Sequence, residues 1–479
     1  MIFLTLTGKT MEENRRLWAE NQAFADGIEL RADFLLREER AKVCVFPKEV
    51  GVPVILTCRK IEDGGCWADD EAVRTEFFRS QRESGFSFFD FEENFDFPET
   101  ESLTHFGIRV IRSRHDFCGF PSDFSQFLHR VNAAGEIPKA AVTVSSAFEL
   151  SRFFEESRAA AFPKIVLAMG EFGFASRILT EVSGSMLTFC SVGGVLSSLG
   201  QISPKEAVEV YRCRDLNRET AIFGVTGNPL SQSRSPQIHN EYLAQHGLNA
   251  VFLPFPAVDF NDFLALAKTL SVRAAAVTVP FKEAAASCAD EASFDVKSCG
   301  ASNSLIFHRG RIEAYNTDIG GFLKPLTEII PSLKGKKCLV FGAGGAAAAC
   351  VCALADRGAD VTVLNRTVEK AQRLATRFGC AFGSLEDAAA IKNAEILVQA
   401  SAAGMTGFEA TDPAAAYVYS GNEIAYDIVY KPRETPFLKR AAAAGCRCLY
   451  GLEMLEAQAR LQFDLFYSPE CGLWDERDI

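Results

Sequence analysis

The sequence predicts an α/β protein built as a (β/α)8 barrel (a TIM barrel) followed by two further α/β units, and three observations predict it. Roughly the first 210 residues hold eight short apolar runs of strand length at regular intervals, separated by stretches of helical period. The alternation restarts at Ala221 after a short charged stretch. Finally, Cys338-Leu339-Val340-Phe341 runs directly into Gly342-Ala343-Gly344-Gly345-Ala346-Ala347, a strand–turn–helix pattern suited to a dinucleotide. At 479 residues the chain is also too long for one ordinary domain.

The eight runs are Ile2–Leu6, Gly27–Ala32, Val54–Cys58, Phe86–Phe91, Ile108–Ser113, Ile137–Val144, Ile165–Met169 and Leu187–Ser191. Between them, Met11–Phe24 and Asp69–Glu83 show helical polar–apolar periodicity. A doubly wound open sheet is the competing arrangement, but eight evenly spaced strands favour closure. A helix over Pro204–Tyr211 ends this domain, giving bounds of 1–211. Residues 212–220 are charged and poor in apolar side chains, and read as a linker. Strands and helices then alternate over 221–325, and the nucleotide-binding pattern occupies 326–430. After Tyr430 the chain reads as helical to its end.

Composition narrows the function classes. Hydrophobic residues at 48% and charged residues at 23% describe a soluble globular protein. A net charge of −12 and a pI near 5.2 argue against nucleic acid or an acidic membrane as the main partner. Anionic small molecules remain suitable, because local arginines can make a positive site on an acidic protein. The fifteen cysteines are an odd number and scattered; Cys350/Cys352 and Cys446/Cys448 have no second cluster at zinc spacing. No metal site is expected, and the thiols read as reduced, mostly buried residues of a cytoplasmic protein. The run Met1–Leu6 is too short and lacks the basic start of a secretory signal, and no uncharged stretch reaches membrane-spanning length. Oligomeric state is left open.

Polar residues interrupt the barrel strands in an informative place. Glu29 and Arg31 lie in the second strand, Arg59 ends the third and His115 the fifth; Arg177 follows the seventh, and Ser197 and Gln201 follow the eighth. In a barrel these positions converge on the C-terminal mouth. Lys139 comes early in its apolar run, as an inward-pointing lysine lower in the barrel that still reaches a ligand held at the mouth. Its amine can condense with a ketone to an iminium, which acidifies the adjacent C–H so that a histidine can remove the proton. The amine must be neutral to attack, which burial and nearby arginines are expected to favour. The arginines would also clamp a carboxylate. Singly, a His–Asp pair is commonly a surface or capping pair, and a strand lysine commonly snorkels. The set at successive strand ends is what points to chemistry.

The motifs Glu29-Leu30-Arg31-Ala32-Asp33, Thr57-Cys58-Arg59 with Gly64-Gly65, Ser113-Arg114-His115-Asp116-Phe117, Ile137-Pro138-Lys139, Met169-Gly170 with Ser176-Arg177, and Ser197 to Gln201 occur in one order over about residues 1–210. In that order they resemble the type I 3-dehydroquinate dehydratases. The resemblance implies Lys139 as Schiff-base lysine, His115 as general acid/base, and Glu29, Arg31, Arg59, Arg177, Ser197 and Gln201 as substrate contacts. Asp63 stands where that family has the glutamate that orients the histidine, and Ser198-Leu199 where it has Ala-Pro.

The second half carries hydride-transfer features. Gly342–Ala347 fits G-x-G-x-x-A, with a pyrophosphate expected at the helix N-terminus, so Gly342, Ala343, Gly344, Gly345 and Ala346 are cofactor candidates. The next strand ends in Asn365-Arg366-Thr367, where an NAD enzyme usually has an acid. A neutral side chain beside a cation suits a 2′-phosphate, so NADP is expected. Lys282, after Val277-Thr278-Val279-Pro280-Phe281, and Asp318, in Asn316-Thr317-Asp318, can deliver a proton to a carbonyl as hydride arrives. On those two residues alone, a plain ion pair is the simpler reading.

Gly227-Asn228-Pro229, Ser233-Arg234-Ser235-Pro236, Val277–Lys282, Gly300 to Asn303, Asn316–Asp318, Gly342–Ala347, Asn365–Thr367, Asp427–Tyr430 with Pro432, and Gly451 to Gln458 resemble the shikimate dehydrogenases over about 222–470. The resemblance implies Lys282 and Asp318 as catalytic, Ser233, Ser235, Thr278, Asn303 and Gln458 on the substrate, and Tyr430 near the nicotinamide. It also implies a substrate domain over 221–325 that residues 431–479 re-enter, and a Rossmann domain over 326–430. Ala276 stands where that family has an asparagine, and Gln399-Ala400-Ser401 where it has Asn-Ala-Thr. Together the two resemblances imply dehydration of 3-dehydroquinate to 3-dehydroshikimate, then reduction to shikimate with NADPH. The competing readings are a dehydrogenase half acting mainly on quinate, a class I aldolase barrel, and a half retained only as scaffold.

Overall fold

In the computed structural model, which describes residues 1–192, 201–230, 233–405 and 407–467, eight parallel strands lie in the order β7–β6–β5–β4–β3–β2–β1–β8. They are β1 (Ile2–Leu6), β2 (Gly27–Arg31), β3 (Val54–Thr57), β4 (Phe88–Glu92), β5 (Arg109–Asp116), β6 (Ile137–Thr143), β7 (Ile165–Met169) and β8 (Thr188–Ser191). The seam between β7 and β8 is bridged at its base, where Lys164 pairs with Ser185 and its carbonyl accepts the Met186 N–H at 2.8 Å. This is the expected barrel, nearly closed. Strand β5 runs three residues beyond the expected Ser113, which carries His115 within the sheet in register with Ala141.

Strand alternation decides what faces inward. Phe3, Ile55, Phe88, Ile111, Ile137 and Ile165 pack into one apolar cluster, while Leu4, Leu30, Leu56, Phe89 and Phe91 belong to another that includes the surrounding helices. Two residues further along, the inward positions on β1, β3, β4, β5 and β6 are polar (Thr5, Thr57, Asp90, Ser113 and Lys139), Glu29 joins them from β2, and Leu167 on β7 stays apolar. An apolar floor therefore supports a polar layer.

Next along the chain come β9 (Ala221–Gly227), β10 (Ala250–Pro256), β11 (Ala274–Val277), β12 (Glu291–Ala292), β13 (Ser304–His308) and β14 (Arg311–Tyr315). The chain divides into two units. The first comprises Met1–Ile222 with Leu243–Ser271; the second comprises Phe223–Tyr242 and the chain from Val272. Within the first, helix Phe260–Thr269 packs on helix Ala147–Ala159. Asp262 accepts the N–H groups of Ala147 and Phe148 at 3.0 and 2.5 Å, capping that helix, and Arg158 donates to the Thr269 carbonyl at 2.8 Å.

In the second unit β9, β11, β13, β14 and β12 are consecutive neighbours, with β11 parallel to β9 and antiparallel to β13. A separate parallel sheet has the order β17–β16–β15–β18–β19–β20, from β15 (Lys337–Phe341), β16 (Asp360–Leu364), β17 (Ala381–Gly383), β18 (Ile396–Gln399), β19 (Ile424–Asp427) and β20 (Arg447–Leu449). The order reverses at β15, whose C-terminal end opens into the glycine turn and the helix Gly345–Asp356. After Tyr430 the chain is not helical alone, because β20 pairs parallel with β19 before helix Gly451–Tyr467 packs along helix Asp318–Thr327. Among the described residues no helix is long and apolar enough to cross a membrane.

Candidate active sites

Lys139 occupies the middle of the polar layer in the barrel. Its ammonium donates to Glu29 Oε1 at 2.9 Å and to Asp90 Oδ2 at 2.7 Å, and sits 4.2 Å from the centre of the Phe189 ring. Glu29 also accepts from the hydroxyls of Thr5 (2.9 Å) and Thr57 (3.2 Å). Arg59 joins this group to the histidine: it donates to Asp90 Oδ1 at 2.9 Å, to Ser113 Oγ at 3.0 Å and to His115 Nδ1 at 3.0 Å. Ser113 in turn donates to Asp90 Oδ1 at 2.6 Å. Lysine, histidine and one arginine of the expected set thus meet around Asp90, a residue not among the sequence candidates.

The arginines near Lys139 are themselves paired with carboxylates. Arg31 is bidentate to Asp33 at 2.9 and 2.8 Å, and Arg59 is paired to Asp90. Burial pushes the Asp90 carboxyl up, but Arg59 and Lys139 outweigh it and hold the group well below the usual carboxylate range. Glu29 follows the same balance, burial opposed by Lys139 and Arg31, with a lowered result. His115 is lowered as well, by burial and then by the Arg59 and Lys139 cations, which favours its neutral form. Lys139 Nζ thus lies between two carboxylates whose charged forms are favoured, and attack on a ketone requires its lone pair to be free.

Arg177 lies in helix Phe174–Ile178, 2% exposed; among the described residues its Nε lacks a partner and its Nη1 makes only a 3.4 Å bond to the Phe189 carbonyl. Burial pulls it down to about 10. A buried guanidinium this poorly matched suits an anionic ligand oxygen. Gln201 accepts from Ser191 at 2.7 Å, while Ser197 lies outside the described residues. Asp63 ends the turn Ile61–Asp63 and makes no hydrogen bond to His115.

In the second unit Lys282 Nζ donates to Asp318 Oδ2 at 2.5 Å. Each opens a helix, Lys282–Ser287 and Asp318–Thr327. Asn303 Nδ2 donates to Asp318 Oδ1 (2.9 Å), Thr317 Oγ1 (2.8 Å) and Gln458 Oε1 (3.3 Å), so Asn303, Asp318 and Gln458 meet as expected. Gln462, absent from the sequence candidates, holds Asn303 from behind by donating to its carbonyl at 3.1 Å and to Ser304 Oγ at 2.9 Å. Ser233, Ser235 and Thr278 are half-buried in the same unit without a hydrogen bond to this group; the Ser235 N–H donates to Ser233 Oγ at 3.3 Å. Ala276 is buried, paired across β11 with Val225 and Ser304.

The glycine turn abuts Lys282: a Cβ on Gly345 would lie 3.1 Å from the Lys282 Cβ. Gly342 has φ +130°, and a Cβ there would stand 2.6 Å from the Ala400 carbonyl oxygen, so only glycine allows this crossing. Gly344 caps the helix Gly345–Asp356 with open space around it, leaving the helix N-terminus accessible to a phosphate. Ala343 and Ala346 flank it, half-buried. At the end of β16, Asn365 Nδ2 donates to the Thr367 carbonyl at 2.9 Å, and Arg366 is exposed and unpaired among the described residues. Tyr430, raised by burial against the lowering effect of Arg234, is half-buried. The donor set fits a dinucleotide with an extra phosphate on its ribose.

Both halves of the chain are similar to known proteins. Residues 2–218 match the model of the type I 3-dehydroquinases, 225–305 the shikimate dehydrogenase substrate-binding domain, and 325–427 the shikimate/quinate 5-dehydrogenases. A shikimate dehydrogenase (NADP(+)) of Carboxydothermus hydrogenoformans is 36% identical over 259 residues, covering 52% of this chain and 92% of the relative. The crystal structure of Aquifex aeolicus shikimate dehydrogenase aligns with 53% of this chain and 94% of its own at 35% identity and a TM-score of 0.49. The chloroplastic bifunctional 3-dehydroquinate dehydratase/shikimate dehydrogenase of Arabidopsis thaliana is 30% identical over 469 residues, 92% of this chain and 77% of the relative. With a dehydratase-type barrel and a dehydrogenase-type unit on one polypeptide, and a two-activity relative aligned along nearly all of it, this chain belongs to the bifunctional 3-dehydroquinate dehydratase/shikimate dehydrogenase family.

Proposed function

We propose that this enzyme dehydrates 3-dehydroquinate to 3-dehydroshikimate in its barrel and reduces that product to shikimate with NADPH in its second unit. The observation that carries the reading is the presence of two lysine sites, one buried and one half-buried, with different surroundings on one chain. Lys139 lies between two carboxylates beside a histidine, and Lys282 lies against one carboxylate beside a nucleotide turn.

In the barrel, Lys139 gives up a proton, attacks the substrate ketone and, with loss of water, forms an iminium. His115 takes the proton from the adjacent carbon and returns one to the departing hydroxyl; hydrolysis of the iminium frees Lys139. Arg177, unmatched and buried, binds the substrate carboxylate, and Glu29, Arg31, Arg59, Ser197 and Gln201 position its hydroxyls. In the second unit the cofactor supplies hydride when bound. Lys282 and Asp318 move the proton to the carbonyl oxygen, and Asn303, Gln458, Ser233, Ser235 and Thr278 orient the ring. Gly342 to Ala346 hold the pyrophosphate, Asn365 with Arg366 and Thr367 the ribose phosphate, and Tyr430 borders the nicotinamide. We assign residues 1–211 to the dehydratase, 212–220 to a linker, 221–325 with 431–479 to the dehydrogenase substrate domain, and 326–430 to the cofactor domain, whose sheet the strand Arg447–Leu449 also joins. Cytoplasmic residence and small-molecule partners alone complete the reading.

The test is NADPH oxidation by the purified chain given 3-dehydroquinate. It is expected to proceed in the native enzyme and stop in Lys139→Ala, while that variant still oxidises NADPH with added 3-dehydroshikimate. Unchanged coupled oxidation in Lys139→Ala overturns the barrel assignment. A kcat/KM for quinate far above that for shikimate overturns the substrate assignment of the second site, where Ala276 removes a polar neighbour.

A further inference from the structure

We propose that Asp90, acting through Arg59, is a positioning residue of the dehydratase that keeps His115 Nδ1 unprotonated and so places the neutral ring's proton on Nε2. The inference rests on the assignment of Lys139 and His115 to dehydration, and it deepens that assignment.

The argument starts from what a guanidinium can do. It has N–H donors and no acceptor, so the 3.0 Å contact between Arg59 and His115 Nδ1 requires the imidazole nitrogen to accept. The neutral ring must then carry its proton on Nε2, which has no partner among the described residues. The arginine does not hold this position by itself. Its second nitrogen is fixed to Asp90 Oδ1 at 2.9 Å, and Ser113 bridges the two by accepting from Arg59 at 3.0 Å and donating to Asp90 at 2.6 Å. The other oxygen of Asp90 accepts from Lys139 at 2.7 Å. One buried carboxylate is thus shared between the nucleophile and the group that sets the histidine tautomer. In dehydratases of this type a glutamate orients the histidine; here Asp63 does not reach it, and Arg59 contacts it instead.

The charged groups facing the histidine are Arg31 from β2, Arg59 beyond β3, Asp90 from β4 and Lys139 from β6, with Asp116 and Arg114 beside it on β5. Glu29 faces Lys139 from β2. Removing the Asp90 charge leaves Arg59 and Lys139 with Glu29 as their remaining close carboxylate. The surplus positive charge disfavours protonation of His115, while Arg59 loses the anchor that aims it.

The experiment combines nitrogen-15 NMR of histidine with kinetics. In the native enzyme without substrate, the His115 signals, identified by their loss in His115→Asn, are expected to show an unprotonated Nδ1 and a protonated Nε2. A protonated Nδ1 overturns the proposal and needs no further variant. In Asp90→Asn the tautomer preference is expected to weaken and dehydratase kcat to fall roughly 10²-fold. The acid limb of kcat/KM is expected to move to lower pH by about one unit. A fall in kcat with an unmoved limb and an unmoved tautomer assigns Asp90 a packing role only and overturns the proposal. The urea-unfolding midpoint read by fluorescence of Trp18 and Trp67, both buried in the first unit, reports that the variant is folded, and Ser113→Ala, expected to shift the tautomer in the same direction, replaces Asp90→Asn if that variant does not fold. Full dehydratase activity in Lys139→Ala would instead show that the underlying site assignment is at fault.

Discussion

Replacing Lys139 by methionine removes an ammonium while keeping most of the side-chain volume, so its effect on stability reports charge rather than a cavity. The two carboxylates it leaves behind are not equally placed. Asp90 keeps Arg59 and Ser113, whereas Glu29 keeps, among the described residues, only the hydroxyls of Thr5 and Thr57 at hydrogen-bonding distance. Glu29 is 5% exposed, so its charge cannot turn to solvent. Removing one partner of such a buried pair costs about 3–5 kcal/mol. The pH dependence has a defined sign. In the native enzyme the Glu29 carboxyl is lowered, so its contribution is present above its unfolded value and lost as pH falls through the folded one. In the variant burial acts without Lys139, the carboxyl is raised, and stability is lost as pH rises through its new value. The gap between variant and native protein is therefore widest near neutrality and narrows on acidification. Urea unfolding followed by tryptophan fluorescence measures it, because Trp18 and Trp67 are both buried in the first unit. Adding Glu29→Gln to Lys139→Met removes the stranded charge and is expected to recover a substantial part of the loss at pH 7. Equal midpoints for Lys139→Met and native protein at pH 7, or no recovery in the double variant, would refute this account of the ion pairs.

Asp318→Asn takes the acceptor from Lys282 and is expected to lower the rate of 3-dehydroshikimate reduction by roughly 10²-fold or more, with dehydration of 3-dehydroquinate unchanged when the two are assayed separately. Arg366→Ala removes an exposed cation, unpaired among the described residues, and is expected to raise the KM for NADPH roughly tenfold while leaving that for NADH nearly constant, a difference that shrinks at high salt. Gly342→Ala forces a Cβ to within 2.6 Å of the Ala400 carbonyl and is expected to abolish reduction while the barrel remains active in a dehydration assay. Asp427 is buried in β19, and burial lifts its carboxyl to about 7 despite bonds from Thr435 and the Val429 N–H. The folded state holds that proton where the unfolded chain has released it, so stability of the second unit is expected to fall as pH rises from about 4 to 7. Asp427→Asn should flatten this slope in thermal unfolding of the second unit.

The barrel was legible because its signal is local and repeated. Ile2–Leu6 and Ile165–Met169 end where their apolar runs end. The limits of β4 and β5 were harder to read. The aromatic run Phe86 to Phe91 hides an alternation in which Phe88, Asp90 and Glu92 share one face. Asp90 was missed for this reason: an acid among phenylalanines reads as an interruption of a strand, and only the register with Thr57 and Ile111 shows that it points inward. Counting two residues up from the floor position on each strand finds it, as it finds Lys139 above Ile137. Gln462 was missed differently, because it lies one turn beyond Gln458 on a helix whose partner, Asn303, is 159 residues away. No local pattern encodes that pairing. In the catalytic sites, residue types that act by themselves were readable, and residues that act by holding another were not.

The two lysines show why that distinction follows from chemistry. A lysine that must become an iminium changes from ammonium to neutral amine to cation again, so its surroundings must tolerate both charge states. Of the two carboxylates around Lys139, Asp90 stays tied to an arginine and a serine when the proton leaves, and Glu29, left with two threonine hydroxyls, is the group that draws a cation back. A lysine that passes one proton to an oxygen needs only one acceptor from which it is recharged, and among the described residues Lys282 has only Asp318 at bonding distance. The extra partners of Lys139 therefore fit the covalent role proposed for it, and the single partner of Lys282 fits the proposed proton relay. An iminium-forming lysine in the polar layer of a barrel thus calls for an acid on a neighbouring inner strand, and in this chain Asp90 on β4 and Glu29 on β2 meet that demand from two sides.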